Sequence, residues 1–235
     1  MLILAFETSA KAVSVALHDG GVLLAESYQN TGLTHSQTLM SMAQDLLKNC
    51  RKSVQDVTAV AVAAGPGSFT GVRIGVAAAK GFGWGAQIPV YGVSTLESMA
   101  RSLGICDGLV CACMDARRSQ VYNALFRVTE GEITRVCPDR AIGLDELAPE
   151  LLAQNEPVFL VGDGARLCYN TLLEQVPNLR LMPEHRLHQR ASGVALAAAA
   201  AIARGESGDG NGLTPNYLRL SQAERERLAR ETKTQ

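Results

Sequence analysis

The chain has 235 residues, 47% of them hydrophobic, and a formal net charge of −1. This length allows one large domain or two small ones. The charge balance gives no global field that would favour nucleic acid or a membrane surface. Residues 1–100 carry six basic and six acidic side chains, so an autonomous nucleic-acid binder is disfavoured.

The compartment follows from what the sequence lacks. The alanine-rich run at 191–204 is too short for a membrane span and is flanked by arginine. The first residues lack a basic start followed by a cleavable apolar segment, so a cytoplasmic protein is expected. The six cysteines form no CxxC pair and no cluster with histidine. We therefore expect reduced thiols rather than a zinc site or a disulfide framework.

The first half begins with three predicted strands and a helix. Apolar runs at 2–6, 12–17 and 22–28 predict the strands, with a glycine hairpin turn before the third. Thr34 and Gln37 are spaced as a capping box that would open the helix. Apolar residues then recur at helical spacing: Leu39, Met42, Ala43, Leu46 and Leu47.

A glycine-rich helix follows a buried strand at 57–63. It is predicted over residues 70–85, and Ser68 is expected to cap it. Small residues lie four apart and would form one smooth helix face: Gly71, Gly75, Ala79 and Gly83. Each interior glycine costs roughly 1 kcal/mol relative to alanine. Such a face indicates close approach by something from the same chain, by another chain or by a phosphate.

The second half begins the pattern again. After a strand at 89–93 and a short helix capped by Ser94 and Glu97, a new set of strands and helices is predicted: strands at 109–114, 120–128, 133–136 and 158–161, and helices at 144–152, from 165 onward and at 191–204. A shift of 108 residues places Asp115 on Glu7, a faint internal repeat. Residues 205–212 read as a mobile polar loop.

These elements predict an α/β protein of two related lobes with a mixed sheet in each. The predicted first lobe spans 1–103, the second spans 104–220, and a charged helix or tail spans 221–235. A duplicated β-β-β-α-β-α lobe with an acidic residue after its first strand resembles actin-like ATPases and sugar kinases. In that class, the two acidic residues face each other across a cleft.

An anion site is one interpretation of the two acidic turns. Phosphate turns use bare backbone N–H groups, usually supplied by glycine. The second turn has no glycine, although two arginines could still hold an anion. The other interpretation is that both acidic residues only cap strand ends by hydrogen bonds. The residues concerned are Glu7, Thr8, Ser9, Asp115, Arg117 and Arg118.

Other catalytic patterns are weaker. His35 is the only histidine on its helix, so the two-histidine metal spacing is absent. Neither a GxSxG motif nor a Walker P-loop is present. No metal site is therefore expected.

Several motifs together resemble the bacterial TsaB (YeaZ) family, from Met1 to about residue 219. They occur in the family order: residues 4–9 (LAFETS), 34–37 (THSQ), 65–75 (GPGSFTGVRIG), 92–96 (GVSTL) and 114–122 (MDARRSQVY). The element at 65–75 with its helix is the most specific. Many family members carry aspartate at the position of Glu7.

The resemblance implies a non-catalytic, actin-like (ASKHA, duplicated RNase H-like) partner subunit in the formation of N6-threonylcarbamoyladenosine at position 37 of tRNA. A larger relative, TsaD, would carry the catalytic metal, a TsaE-like ATPase would join the complex, and tRNA would be reached through the complex. We expect a homodimer in the absence of TsaD, and no cofactor on this chain alone. Whether a nucleotide sits at a partner interface stays open.

The resemblance also implies that the partner binds the first-lobe helices. The residues predicted to contact it are His35, Leu39, Met42, Ala43, Leu46, Gly71, Val72, Gly75, Val76, Ala79 and Gly83. Two enzymatic alternatives remain: an M22-type glycopeptidase, and an active small-molecule kinase or ATPase. The missing histidine pair, nucleophile and phosphate glycines disfavour both.

Overall fold

Two mixed β-sheets form the framework of the computed structural model, which describes residues 1–103 and 107–219. The first sheet has the order β3-β2-β1-β4-β5. β1, β2 and β3 are antiparallel, and β4 and β5 continue the sheet in parallel with β1. Its strands are β1 Leu2–Glu7, β2 Val13–Asp19, β3 Val22–Gln29, β4 Ala59–Gly65 and β5 Val90–Ser94.

The second sheet repeats this topology. Its order is β11-β10-β6-β7-β8, with β9 paired to β7. β6, β7 and β8 are antiparallel, and β10 and β11 run parallel to β6. The duplicated, two-lobed α/β architecture predicted from the sequence is confirmed. The strands are β6 Gly108–Asp115, β7 Gln120–Thr129, β8 Glu132–Arg135, β9 Arg140–Gly143, β10 Val158–Val161 and β11 Leu179–Leu181.

Helices cover both faces of each sheet. Leu4 and Phe6 point toward α1 and α2, whereas Ile3 and Ala5 point toward the alanines of α7. This division follows from the period-two alternation of side chains along a strand. The helices are α1 His35–Asn49, α2 Phe69–Ala86, α3 Thr95–Arg101, α4 Leu144–Leu152, α5 Ala165–Leu172, α6 Glu184–Leu187 and α7 Ala191–Ala203.

Two helices cross between the lobes, which corrects the predicted boundary. Helix α3, from the first half, packs on the second sheet through Leu96 and Met99. Helix α7, from the second half, packs on the first sheet through Ala195 and Ala198. The two helices touch where Gly193 meets the Ser98 carbonyl so closely that a Cβ would overlap it. A boundary at residue 104 thus separates the strands correctly but assigns both helices to the wrong lobe. The predicted tail at 221–235 lies outside the described residues.

The segment after α7 runs along the first lobe, contrary to the predicted mobile loop. Asp209 accepts backbone hydrogen bonds from Asn211 and Gly212, at 2.9 and 3.0 Å. The Lys80 ammonium donates to the Leu213 carbonyl at 3.0 Å. These contacts fix the segment before it reaches the junction of the lobes.

Two of the three predicted helix caps are present. The Ser68 hydroxyl accepts from the backbone N–H of Gly71 at 3.3 Å, and the Ser94 hydroxyl accepts from Glu97 N–H at 3.2 Å. The predicted box at Thr34 is wrong, because its side chain makes no capping bond and only its carbonyl accepts from the helix.

Candidate functional site

The glycine-rich helix α2 begins against the end of β1. The backbone N–H of Ser68 donates to the Ser9 carbonyl at 2.6 Å, and the Thr8 hydroxyl donates to the Gly71 carbonyl at 2.7 Å. A Cβ at Gly71 would overlap the Thr8 carbonyl oxygen, and one at Gly75 would overlap the Thr8 hydroxyl. The close neighbour that the glycines require is therefore this chain's own first strand.

The small-residue face continues inward along the whole helix. We call Gly71, Gly75, Ala79 and Gly83 the inner row. All four are buried, and a Cβ at Gly83 would overlap the Val90 side chain of β5. Val72 and Val76 are buried beside them in the first-lobe core. In this fold the inner row contacts its own sheet, so its predicted role as a groove for another chain is wrong.

Most of the predicted α1 residues also face inward. The core buries Leu39, Met42, Ala43 and Leu46 against the first sheet. His35 is half-buried, and its Nε2 lies 3.2 Å from the Lys11 carbonyl oxygen. These side chains hold α1 in place and leave its opposite face for contacts with other molecules.

A second row of α2 residues faces solvent, and the sequence analysis missed it. We call Arg73, Ala77, Gly81 and Gly85 the outer row; all four are exposed and lie four residues apart. A Cβ at Gly81 or at Gly85 would meet nothing within 4 Å. The only tryptophan, Trp84, lies beside this row with 82% of its surface exposed, and Met40 of α1 is 44% exposed. The same four-residue spacing that defines the inner row could have revealed the outer row.

The second candidate region is a cleft of about 430 Å³ at the junction of the lobes. Lys11 and the 66–69 turn line it from the first lobe, and Asp115, Arg117 and Asp163 line it from the second. The C-terminal segment closes one side: Tyr217 stacks on Phe69 with the ring centroids 4.5 Å apart. Arg118 is not among the lining residues.

The two acidic turns make the same local hydrogen bond. Glu7 Oε1 accepts from Ser9 N–H at 2.6 Å, and Asp115 Oδ1 accepts from Arg117 N–H at 2.7 Å. In each case a carboxylate satisfies the N–H two residues onward, which is the capping role. The Arg117 guanidinium lies 3.5 Å from Asp115 but is largely exposed, so this pair contributes little to stability.

Glu7 differs from Asp115 in burial. Glu7, Thr8 and Ser9 have no exposed surface, and Glu7 Oε2 has no hydrogen-bond partner. Burial raises the pKa of Glu7 to about 7, the bonds from Ser9 oppose this, and the nearby charge of Asp163 adds to it. Asp163 keeps solvent contact through the cleft, yet enough protein surrounds its carboxyl to raise its pKa as well. The predicted anion-site residues of the first turn therefore lie behind the cleft wall.

The second turn has an unusual backbone. Arg117, Arg118 and Ser119 all have positive φ, at 66°, 57° and 56°. This left-handed region disfavours residues with a Cβ, and Arg219 donates to the Ala116 carbonyl at 2.6 Å beside it. Within the described residues, no group of three or more His, Cys, Asp or Glu side chains is placed to hold a metal ion. Among those same residues, no helix is long and apolar enough to cross a membrane.

The duplicated sheets and interlobe cleft define an actin-like α/β protein. A hexokinase of Thermus thermophilus has this fold at a TM-score of 0.51 and 14% identity, covering 87% of this chain and 100% of the hexokinase chain. A Pseudomonas aeruginosa protein, described as similar to the peptidase YeaZ, superposes with a TM-score of 0.76 at 30% identity, covering 93% of this chain and 99% of its own.

Sequence comparisons narrow the class. The family model described as TsaD, tRNA N6-adenosine threonylcarbamoyltransferase, matches residues 23–226. The Bacillus subtilis protein TsaB, named for tRNA threonylcarbamoyladenosine biosynthesis, is 34% identical over 95% of this chain and 96% of its own length. The chain belongs to the TsaB (YeaZ) family, which confirms the resemblance inferred from the motifs.

Proposed function

We propose that this chain is a non-catalytic subunit in the formation of tRNA N6-threonylcarbamoyladenosine, where it binds and supports a TsaD-like catalytic subunit. The names of its relatives and of the matching family model support a role in this biosynthesis. The observation that carries the non-catalytic assignment is the cleft. Its second turn offers side chains and a left-handed backbone in place of phosphate-binding glycines, and Glu7 is sealed behind its wall.

The outer row supports the choice of binding surface. Small residues without neighbours let a partner helix approach α2 closely, at the lower end of the usual 8–10 Å separation. Trp84 and Met40 add exposed apolar area, and exposed aromatic side chains are typical anchors of protein interfaces. We therefore assign the partner surface to the outward sides of α1 and α2.

Co-purification with the TsaD-like subunit of the same organism tests this proposal. Ala77→Arg places a long charged side chain in the outer row and should abolish co-purification, because an unpaired charge buried at an interface costs several kcal/mol. Ala153→Arg is the control: Ala153 is an exposed alanine at the end of α4, in the second lobe. Threonylcarbamoylated tRNA should be lost only with the first variant. If both variants bind the partner normally, the surface assignment is wrong.

Further associations belong to the same proposal. A TsaE-like ATPase would join the pair, tRNA would bind through the complex, and the site of action would be the cytoplasm. Without its partner the chain would form a two-fold homodimer through the outer row, because a surface built for a related fold is close to self-complementary. Light scattering should show a dimer at micromolar concentration that Ala77→Arg converts to a monomer. A monomer for the unmodified chain would contradict the homodimer.

The enzymatic alternatives are separated by turnover assays. The P. aeruginosa neighbour is described by its similarity to a peptidase, so peptidase and ATPase activity are both measured on the purified chain. We expect neither above a no-protein control. Reproducible turnover that disappears in Asp115→Ala, a cleft-lining variant, would overturn the non-catalytic assignment.

A further inference from the structure

A second cavity lies away from the interlobe cleft. It has a volume of about 450 Å³, within the range typical of small-molecule sites. Its floor is the face of β2 and β3 that carries His18 and Leu23, which are paired across the two strands. Leu196 of α7 and Arg186 of α6 stand on its walls. The cavity therefore combines apolar side chains with a cation.

His18 is the unusual residue of this cavity. Only 4% of its surface is exposed, and neither ring nitrogen has a hydrogen-bond partner. A neutral imidazole carries one donor and one acceptor, and buried polar groups are ordinarily bonded. Burial lowers the pKa of His18, which keeps the ring neutral. The cavity wall thus holds both a donor and an acceptor that the protein leaves unused.

The other charged groups at the cavity are largely satisfied. Glu26 accepts from the Ser14 hydroxyl, from Ser192 N–H and from Arg190. Arg190 also donates to the His185 carbonyl and stacks on the Tyr28 ring. The remaining cation is Arg186.

Arg186 has one weak contact, a donation to the Ser102 carbonyl at 3.5 Å. It forms no ion pair with any residue that the structure describes. An anion at this position would meet an uncompensated guanidinium, the group best suited to a carboxylate.

We propose that this cavity binds a small organic carboxylate with an apolar body and a polar group at its far end. The carboxylate would pair with Arg186, the body would lie against Leu23 and Leu196, and the far polar group would bond to His18. Leu23 and Leu196 are 46% and 37% exposed, so each offers apolar surface that such a ligand would cover. This proposal does not depend on the proposed function, because none of these residues belongs to the cleft or the outer row.

A probe with those three parts is 4-hydroxybenzoate. Titration into the full-length chain, followed by the NMR signals of the histidine side chains, should shift His18 in a saturable way. Benzoate lacks the far hydroxyl and phenol lacks the carboxylate, so both should bind more weakly. Binding of phenol as tight as that of 4-hydroxybenzoate would overturn the role of Arg186.

Variants locate the site. Arg186→Gln should weaken binding of 4-hydroxybenzoate about tenfold, because it removes a charge-assisted hydrogen bond. His18→Phe should reduce binding to that of benzoate. Arg180→Gln, on the exposed side of β11, is the control and should change nothing. Arg186 is exposed, so its variant is expected to fold. Absence of a His18 shift, or equal affinity for the Arg186 and Arg180 variants, would refute the proposal.

Discussion

The inner and outer rows of α2 are built from the same kinds of residue at the same spacing, yet they meet different surroundings. In the inner row, Gly71 and Gly75 let the helix lie directly on the backbone of residues 8–9. In the outer row, Gly81 and Gly85 meet only solvent. A glycine that permits close packing inside a fold and a glycine that leaves room for another molecule therefore cannot be distinguished by spacing alone.

The largest expected difference between the rows comes from one substitution made at two neighbouring positions. Ala79 has no exposed surface, whereas Ala77 is exposed. Ala79→Arg would bury an unpaired charge in the first-lobe core at a cost of several kcal/mol, comparable to the whole stability of a typical domain. We expect circular dichroism to show an unfolded or insoluble protein.

Ala77→Arg should melt within a few degrees of the unmodified chain. If instead Ala79→Arg folds as well as Ala77→Arg, the inner row does not pack on the sheet as described.

How far the sequence predicts this molecule depends on the kind of contact. Alternating apolar residues, as in β1, and turns such as the one at residues 18–21 fix strands locally, so the strands and the duplication could be predicted. The crossing of α3 and α7 could not. The alanines of α7 are apolar on every side, so no periodic stripe indicates which sheet the helix covers.

The sites show the same limit. The sequence marks Glu7 and Asp115 as equivalent strand ends, and both do make the same turn. That one of them is sealed from solvent depends on how closely α2 lies over residues 8–9, which is a property of packing. The predicted small-residue face of α2 was real, but its neighbour could be identified only in the folded chain.

The segment beneath the inner row should give a pH-dependent contribution to stability. The pKa of Glu7 is raised from 4.5 to about 7 in the folded state. The folded chain therefore binds an extra proton between these values, and the stability that Glu7 contributes at low pH is lost as pH rises toward 7 and stays lost above it. The difference is on the order of 3 kcal/mol.

Glu7→Gln removes this titration. Its free energy of unfolding, measured with urea, should match that of the unmodified chain at pH 4.5 and exceed it at pH 8. A difference that is constant across this range would show that Glu7 does not titrate within it.

Single added methyl groups give a smaller effect, but one of opposite sign in the two rows. Gly75→Ala places a Cβ against the Thr8 hydroxyl and Val62, and we expect it to destabilise the chain by roughly 1–3 kcal/mol. Gly81→Ala meets no neighbour and should stabilise α2 by up to about 1 kcal/mol through helix propensity. Thermal melting of both variants measures the signs. Equal signs would contradict the distinction between the rows.

The smallest expected effect concerns how α2 and α1 begin. Ser68 caps α2 through its hydroxyl, whereas Thr34 makes no side-chain cap at α1. Ser68→Ala should therefore cost about 1 kcal/mol, because the Gly71 N–H loses its acceptor at the point where α2 lies against residues 8–9. Thr34→Ala should cost less, since its carbonyl bond to Gln37 N–H is unaffected by the change of side chain. Urea unfolding of the two variants measures the difference, and a larger loss for Thr34→Ala would show that α1 uses the capping box that the sequence suggested.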